Sequence, residues 1–442
     1  MAHGLRWSAL VRRRACLLIL LAACGSDPVT GDGDAALPTE YDAPNDASDA
    51  LPGVVDPCPA PVPACPTLPG GYAAGDGLRA IERCAFWLDD EDTWADRSAI
   101  IDAFPAALTR VTLADITGDL NRTAVPVTAG AVPGDPPGVR VSFTWQAGDQ
   151  DVAYWIPQGL TGSFDSGGAV AGRTLLLVSW YYERAEEPGS TAEKGVRIAI
   201  ADVTDPQDVT YRFALLVEPV TRNGRSDFAP VAIHAGGLAW FGDFLYVPDT
   251  GNGFRVFDLA RILTADTSQD RLGYDAATGA YHAHGYRYVI PQVGTYTEAG
   301  ACAARFSYAS IDRSTTPPSL VSGEYDAASI GGRVHRWPLD ATTGRLVMTD
   351  RDRVVPDGAW FAGQSHVQGG LALGATFWLS SSAPAGSGGA LYRTRENDPS
   401  ATLGWIDTPE DLSYDPAADN LWSLSEGLGA RYVIAVARTS VD

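Results

Sequence analysis

The sequence predicts an all-β fold: a five-bladed β-propeller of four-stranded blades closed by an N-terminal strand, with a β-sandwich as the alternative. Three observations carry this expectation. Short apolar runs bounded by Gly, Pro, Asp and Asn fill the chain from residue 138 onward, which is how strands and turns are punctuated. A unit of Gly-rich strand, tight turn, aromatic strand, loop and third strand recurs five times. Gly (47) and Pro (30) are abundant and charged residues make up only 19%, which disfavours long helices and coiled coils.

The first unit holds Pro157-Gln158-Gly159-Leu160, then GRTLLLVSWYY (172–182) and VRIAIADV (196–203). The second is the clearest: His234 to Trp240 (HAGGLAW), a turn at Phe241-Gly242-Asp243, then FLYVPD and FRVFDL. The third runs from Tyr308 to Asp312 into SLVSGEY and RVHRWPL. The fourth joins Gln368-Gly369-Gly370-Leu371 to TFWLSSS and ALYRTR. The fifth begins at Pro409-Glu410-Asp411-Leu412 and continues through LWSLSE and RYVIAVA. Outer strands are expected at YRFALLVEP, YRYVIPQV, RLVMTDR and LGWID. The fifth unit lacks one, and VRVSFTW (139–145) is free upstream to supply it, since closure removes exposed sheet edges.

The N-terminus reads as a targeting segment over residues 1–23. Arg6, Arg12, Arg13 and Arg14 precede the apolar run ACLLILLAA, which is too short to span a bilayer. The run ends in Leu21-Ala22-Ala23-Cys24, which resembles a bacterial lipoprotein signal and implies cleavage before a lipidated Cys24. Residues 25–57 contain eight acids and no Lys or Arg, so residues 24–57 read as an acidic flexible tether. Residues 58–137 form a Cys-containing region expected to pack on a body at 138–442. With Cys16 and Cys24 set aside, Cys58, Cys65, Cys84 and Cys302 remain. Two disulfides are expected, with Cys58–Cys65 and Cys84–Cys302 the favoured pairing.

The body also resembles a family of secreted bacterial proteins, mostly actinobacterial and uncharacterised. The segments that carry the resemblance are WIPQGLTGS (155–163), LLLVSWYY (175–182), HAGGLAWFGDFLYVPDTGNGFRVFDL (234–259), YVIPQVGTYT (288–297), FSYASIDRSTTPPSLVSGEY (306–325) and GALYRTR (389–395). The resemblance implies no reaction, and the lipoprotein-like leader departs from the cleaved secretory signal usual there.

In a propeller, the leading ends of the inner strands and the ends of the second strands share one face around the axis. The repeat therefore nominates Gln158, His234, Gln368, Glu410 and Asp411, with Trp180, Tyr181, Asp249, Glu324 and Glu426, as a ligand site. For catalysis the candidates are Glu410, Glu324 and His234, because opposed carboxylates suit glycoside hydrolysis. Glu410 and Asp411 are adjacent in a strand, so at most one is expected to face the axis. Asp89-Asp90-Glu91-Asp92 could offer oxygen ligands to Ca²⁺, although a solvated charge run is the plainer reading. His282 and His284 form a possible metal pair without an identifiable third ligand. The sequence has no G-x-S-x-G elbow, P-loop or H-E-x-x-H motif.

The expected function is a cell-surface lipoprotein, monomeric, binding a saccharide or other small polar ligand. A glycoside hydrolase or polysaccharide lyase and a protein-interaction scaffold are the alternatives. A net charge of -22 disfavours nucleic acid as a partner. Lys194 is the only lysine, which nearly excludes lysine-based covalent chemistry.

Overall fold

A computed structural model describes residues 54–58, 60–382 and 388–442. The leader, Cys24 and nearly all of the tether lie outside the described residues. The fold is all-β, with its strands in antiparallel groups that follow the sequence repeat.

The strands of the body are β1 (Val139–Thr144), β2 (Trp155–Gly162), β3 (Leu175–Tyr182), β4 (Val196–Asp202) and β5 (Thr210–Arg222). They continue as β6 (Ala239–Phe241), β7 (Phe244–Asp249), β8 (Gly253–Asp258) and β9 (Tyr288–Glu298). Next come β10 (Tyr308–Asp312), β11 (Ser319–Gly323), β12 (Arg333–Pro338) and β13 (Gly358–Phe361). The last are β14 (Val367–Leu373), β15 (Thr376–Ser381), β16 (Gly389–Arg395), β17 (Asp398–Trp405), β18 (Pro409–Asp415), β19 (Asn420–Ser425) and β20 (Tyr432–Ala437).

Each run of four, β2–β5, β6–β9, β10–β13 and β14–β17, is an antiparallel meander. In the fifth group β18, β19 and β20 are completed by β1, which pairs with β20 from Thr144 opposite Tyr432. The strand at 139–144 thus covers the edge of β20. The first two groups share one sheet, because their outer strands pair in parallel at Leu215–Val289.

Alternation within the strands makes the core. Each buried face carries Leu, Ile, Val and aromatic residues, and the facing groups pack them in layers. Leu177, Ile198 and Leu216 of the first group meet Leu238, Leu245 and Phe257 of the second. Tyr246 and Val256 meet Ile311, Leu320 and Trp337, and Val321 and Val334 meet Ala372, Phe377 and Leu379. Leu371, Trp378 and Leu391 meet Leu412, Leu421 and Ile434. The remaining layer joins the fifth group to the first through Phe143, Trp422 and Val433 against Leu160, Val178 and Trp180. Such an arrangement is not a two-sheet sandwich.

One outer strand departs from the sequence expectation. RLVMTDR (345–351) forms no regular strand; Leu346 makes only a bridge to Leu339, and the third group is completed by β13 instead. The segment 340–353 is occupied by Asp-headed turns: Asp340 accepts from the Thr342 and Thr343 amides, which draws the backbone away from the ladder.

Residues 79–126 supply short strands to the outer edges, at 79–80 on β13, 88–90 on β9, 122–123 on β5 and 125–126 on β1. The helix α1 (Trp94–Asp102) buries Trp94 against Phe244 and Tyr296. The disulfide is Cys58–Cys84, which replaces both expected pairings. Residues 84–85 are turned into the core by a short helical turn, and the Asp56 carboxylate holds the Cys58 amide at 2.7 Å, so these two cysteines are the ones that meet.

Candidate functional site

The inner strands β2, β6, β10, β14 and β18 touch in succession, with β18 returning to β2. Their approach is close. A Cβ placed on Gly159 would lie 2.5 Å from the Gly237 backbone, so only glycine allows the first two strands this contact.

Three of the inner strands break register at their leading ends. The irregularities fall between Pro157 and Leu160, Val367 and Gly369, and Pro409 and Leu412. Each bulge re-aims the polar side chain that it contains. Gln158, Gln368, Glu410 and Asp411 are all buried as a result. The bulge also answers the expectation that only one of Glu410 and Asp411 turns inward. Both are fully buried, and they reach in opposite directions around the ring. Glu410 Oε1 accepts from Gln368 Nε2 of the preceding group at 2.9 Å. Asp411 Oδ2 accepts from the Leu160 amide of the following group, and its Oδ1 from the Leu412 amide at 2.8 Å. Asp411 is therefore a clasp between strands.

Gln158 links two further groups. Its Oε1 accepts from His234 Nε2 at 2.7 Å, and its Nε2 donates to Glu426 Oε2 at 2.9 Å and to the Pro157 carbonyl. The amide orientation makes Nε2 the protonated nitrogen of His234 and leaves Nδ1 with the lone pair. Tyr181 stacks on His234 with ring centroids 4.2 Å apart. Burial drives the His234 pKa down to about 3, so the ring is neutral. Burial also pushes Glu426 up, against the pull of Gln158 and Arg431. Glu410 is pushed up well above the usual range by burial and then by the charges of Glu426 and Asp411. Burial and the neighbouring charges thus favour its protonated form. Its Oε2 is buried and has no hydrogen-bond partner among the described residues. The result is a neutral imidazole, an amide relay and two carboxyl groups whose proton affinities are both raised.

The other nominated residues stand elsewhere. Trp180 is fully buried in the layer between the fifth and first groups, edge-on to Trp145 and Phe213, and walls no site. A strand's alternation sends Tyr181 one way and Trp180 the other. Glu324 is held by both nitrogen arms of Arg333 at 2.5 Å and accepts from the Arg305 amide, so its lone pairs are committed. It lines a separate cavity of about 320 Å³ with Arg305, Tyr325, Asp326 and Arg333. Asp249 pairs with Arg255 at 2.9 Å and caps its own turn through Asn252. Asp90 accepts from the Trp94 indole and Glu91 from Thr297, so the acidic run is spread over separate contacts. His282 faces Asp266 and His284 faces Asp270, each with its own carboxylate.

Sequence reasoning missed Ser179 and Ser380. Ser179 Oγ donates to the Ala235 carbonyl at 2.8 Å, and Ser380 Oγ to the Glu410 carbonyl at 2.7 Å. Each ties a second strand to the leading end of the next inner strand. A lone Ser within the apolar run LLLVSWYY, and the first of the three Ser that follow FWL, were the available signals. Also missed was Asp165, just past β2. Its Oδ2 accepts from Thr161, the Gly162 amide and Ser413 at 2.7, 3.2 and 3.1 Å, and burial drives its pKa up to about 6.

The chain matches no protein family and no curated protein. Its resemblance to secreted bacterial proteins therefore rests on the quoted segments alone. Among solved structures it is similar to the glutaminyl cyclase of Myxococcus xanthus, at 10% identity and a TM-score of 0.31 over 65% of this chain and 92% of that one. A GH43_1 enzyme from Xanthomonas citri gives 9% and 0.31, over 64% and 87% of the two chains. PhoX of Pseudomonas fluorescens gives 9% and 0.32, over 72% and 97%. TM-scores near this level carry no argument about what this chain does.

Proposed function

We propose that the five strand groups are the blades of a β-propeller that binds a saccharide or similar small neutral polyol. The site is the axial end where Gln158, Tyr181, His234, Gln368, Glu410 and Glu426 converge. The observation that carries this reading is the buried Glu410 carboxyl with an unmet Oε2, beside the Gln158 relay. A buried polar atom without a partner is costly, and a ligand hydroxyl would satisfy it. The neutral His234, and burial that favours the protonated form of Glu410, suit an uncharged ligand. The reading extends to an exported monomer held to the cell envelope through a lipidated Cys24, which loss of fatty-acid labelling in Cys24→Ala would support.

The test is calorimetric titration with a panel of neutral mono- and oligosaccharides. Binding to the wild type that weakens at least about tenfold in Glu410→Ala and His234→Ala supports the reading. No binding across the panel, or binding indifferent to both changes, removes it.

A second reading, a glycoside hydrolase or lyase, is favoured by two carboxyl groups, Glu410 and Glu426, close enough for the charge of one to raise the other. Its acid would be Glu410 and its base Glu426, with Glu324 playing no part. Here Glu410→Gln would keep binding and lose turnover of a polysaccharide, whereas a pure binding protein would show no turnover at all.

A further inference from the structure

Among the described residues, two cysteines remain outside the Cys58–Cys84 bridge: Cys65, which is exposed, and Cys302, which is half-buried. They are remote in sequence and meet in space for two reasons. The bridge pins Cys58, a short Pro-rich stretch before Cys65, to the core beside Phe86. The loop carrying Cys302, between β9 and β10, is laced to that same region. The Ala299 amide donates to the Trp87 carbonyl at 3.2 Å and the Ala301 amide to the Ala85 carbonyl at 2.9 Å. Arg333 then marks the meeting point. Its Nη1 lies 3.8 Å from Cys65 Sγ and 3.0 Å from the Cys302 carbonyl, while Glu324 fixes the rest of the guanidinium. Both cysteines thus lie against the same guanidinium nitrogen.

We propose that Cys65 and Cys302 are a redox-modification site that closes to a second disulfide, fastening the N-terminal segment to the loop between β9 and β10 beside Arg333. The oxidant is a disulfide, of the class carried by thiol–disulfide oxidoreductases or by glutathione. The exposed Cys65 loses its proton to solvent, and its thiolate attacks one sulfur of the oxidant. A mixed disulfide forms and one thiolate leaves. Cys302, as thiolate, then attacks Cys65 Sγ and expels the second. One protein S–S bond replaces the oxidant's S–S bond. The oxidant takes up two electrons and, with the two protons, becomes two thiols. The order follows from the environment. Burial pushes the Cys302 thiol up to about 12 while the Arg333 charge pulls it down, so Cys302 is the slower thiolate to form and is suited to the resolving step.

The test uses the purified full chain incubated with glutathione disulfide, denatured, alkylated without reduction, digested with trypsin and mapped by mass spectrometry. Cys58 and Cys65 fall on one tryptic peptide, because no Lys or Arg lies between them. The decisive protein is therefore the Cys58→Ser, Cys84→Ser double variant. The proposal expects its Cys65 peptide to be joined to the Cys302 peptide, and the join to vanish on reduction. Should that variant fail to fold, Cys302→Ser in the otherwise native chain serves. There Cys65 stops at the mixed disulfide and carries glutathione while Cys84 stays protected, whereas in the wild type both Cys65 and Cys302 are protected and neither carries glutathione. Alkylation of Cys65 and Cys302 in the oxidant-treated wild type, or a double variant with no join, overturns the proposal.

Discussion

Asp165 allows a buried charge to be weighed against pH. It sits past the end of β2, almost fully buried, and three donors converge on its Oδ2, one of them Ser413 of the fifth group. Burial outweighs these donors and the Arg313 charge, and raises the pKa from 3.8 to about 6. The folded state thus holds the Asp165 proton more tightly than the unfolded state does. Between those two values the folded protein binds more protons, so stability falls as pH rises, and the protonated form's advantage is lost above about 6. Each tenfold gain in proton affinity is worth about 1.4 kcal/mol, so the whole effect amounts to about 3 kcal/mol. Asp165→Asn keeps an acceptor for the three donors and cannot ionise. Urea denaturation of both proteins from pH 4 to 8 isolates the effect, since other titrating groups cancel in the difference. The variant is expected to gain about 2.4 kcal/mol on the wild type across the interval, nearly all of it between pH 4 and 7, the rest of the effect falling below pH 4. Parallel stability curves, or a variant that loses ground as pH rises, would refute the reasoning.

Gly159→Ala should cost on the order of 3 kcal/mol by forcing apart the Gly159–Gly237 contact, whereas Gly167→Ala, with open space around it, should change stability by less than about 0.5; thermal denaturation of both checks this. Trp180→Ala should cost about 3–5 kcal/mol in urea unfolding, as expected of a core residue and not of a site wall. Phe143→Ala in β1 should cost about 3–4 kcal/mol by the same measurement, because β1 completes the last group. The His234 imidazole, its pKa lowered to about 3, should remain neutral and protonated at Nε2 down to pH 4, read from its ring nitrogen shifts by NMR.

Much of the fold is legible in the sequence because strands announce themselves locally. Alternation, aromatic content and Gly or Asp turns locate the inner, second and third strands of every group, and VRVSFTW at 139–145 pairs where an open edge requires it. RLVMTDR misleads because its β-branched and apolar residues look like an outer strand, while the Asp340 turn beside it competes for the backbone. Within the site, Gln158, His234, Gln368, Glu410 and Glu426 are nominated by repeat position and do converge. Trp180, Asp249 and Glu324 are nominated by the same rule and do not. Repeat position fixes which end of a strand a residue occupies, and neither the face it takes nor the partner it finds.

The sequence by itself determined the strand order, the five recurring units and the polar residues at their leading ends, since these depend on local periodicity and turn chemistry. Tertiary structure alone decided that register breaks bury Glu410 and Asp411 together, that Arg333 claims Glu324, and that Cys58 meets Cys84. Each of those outcomes depends on which distant backbone lies alongside. A buried charge or thiol takes its character from neighbours that the linear chain does not place beside it.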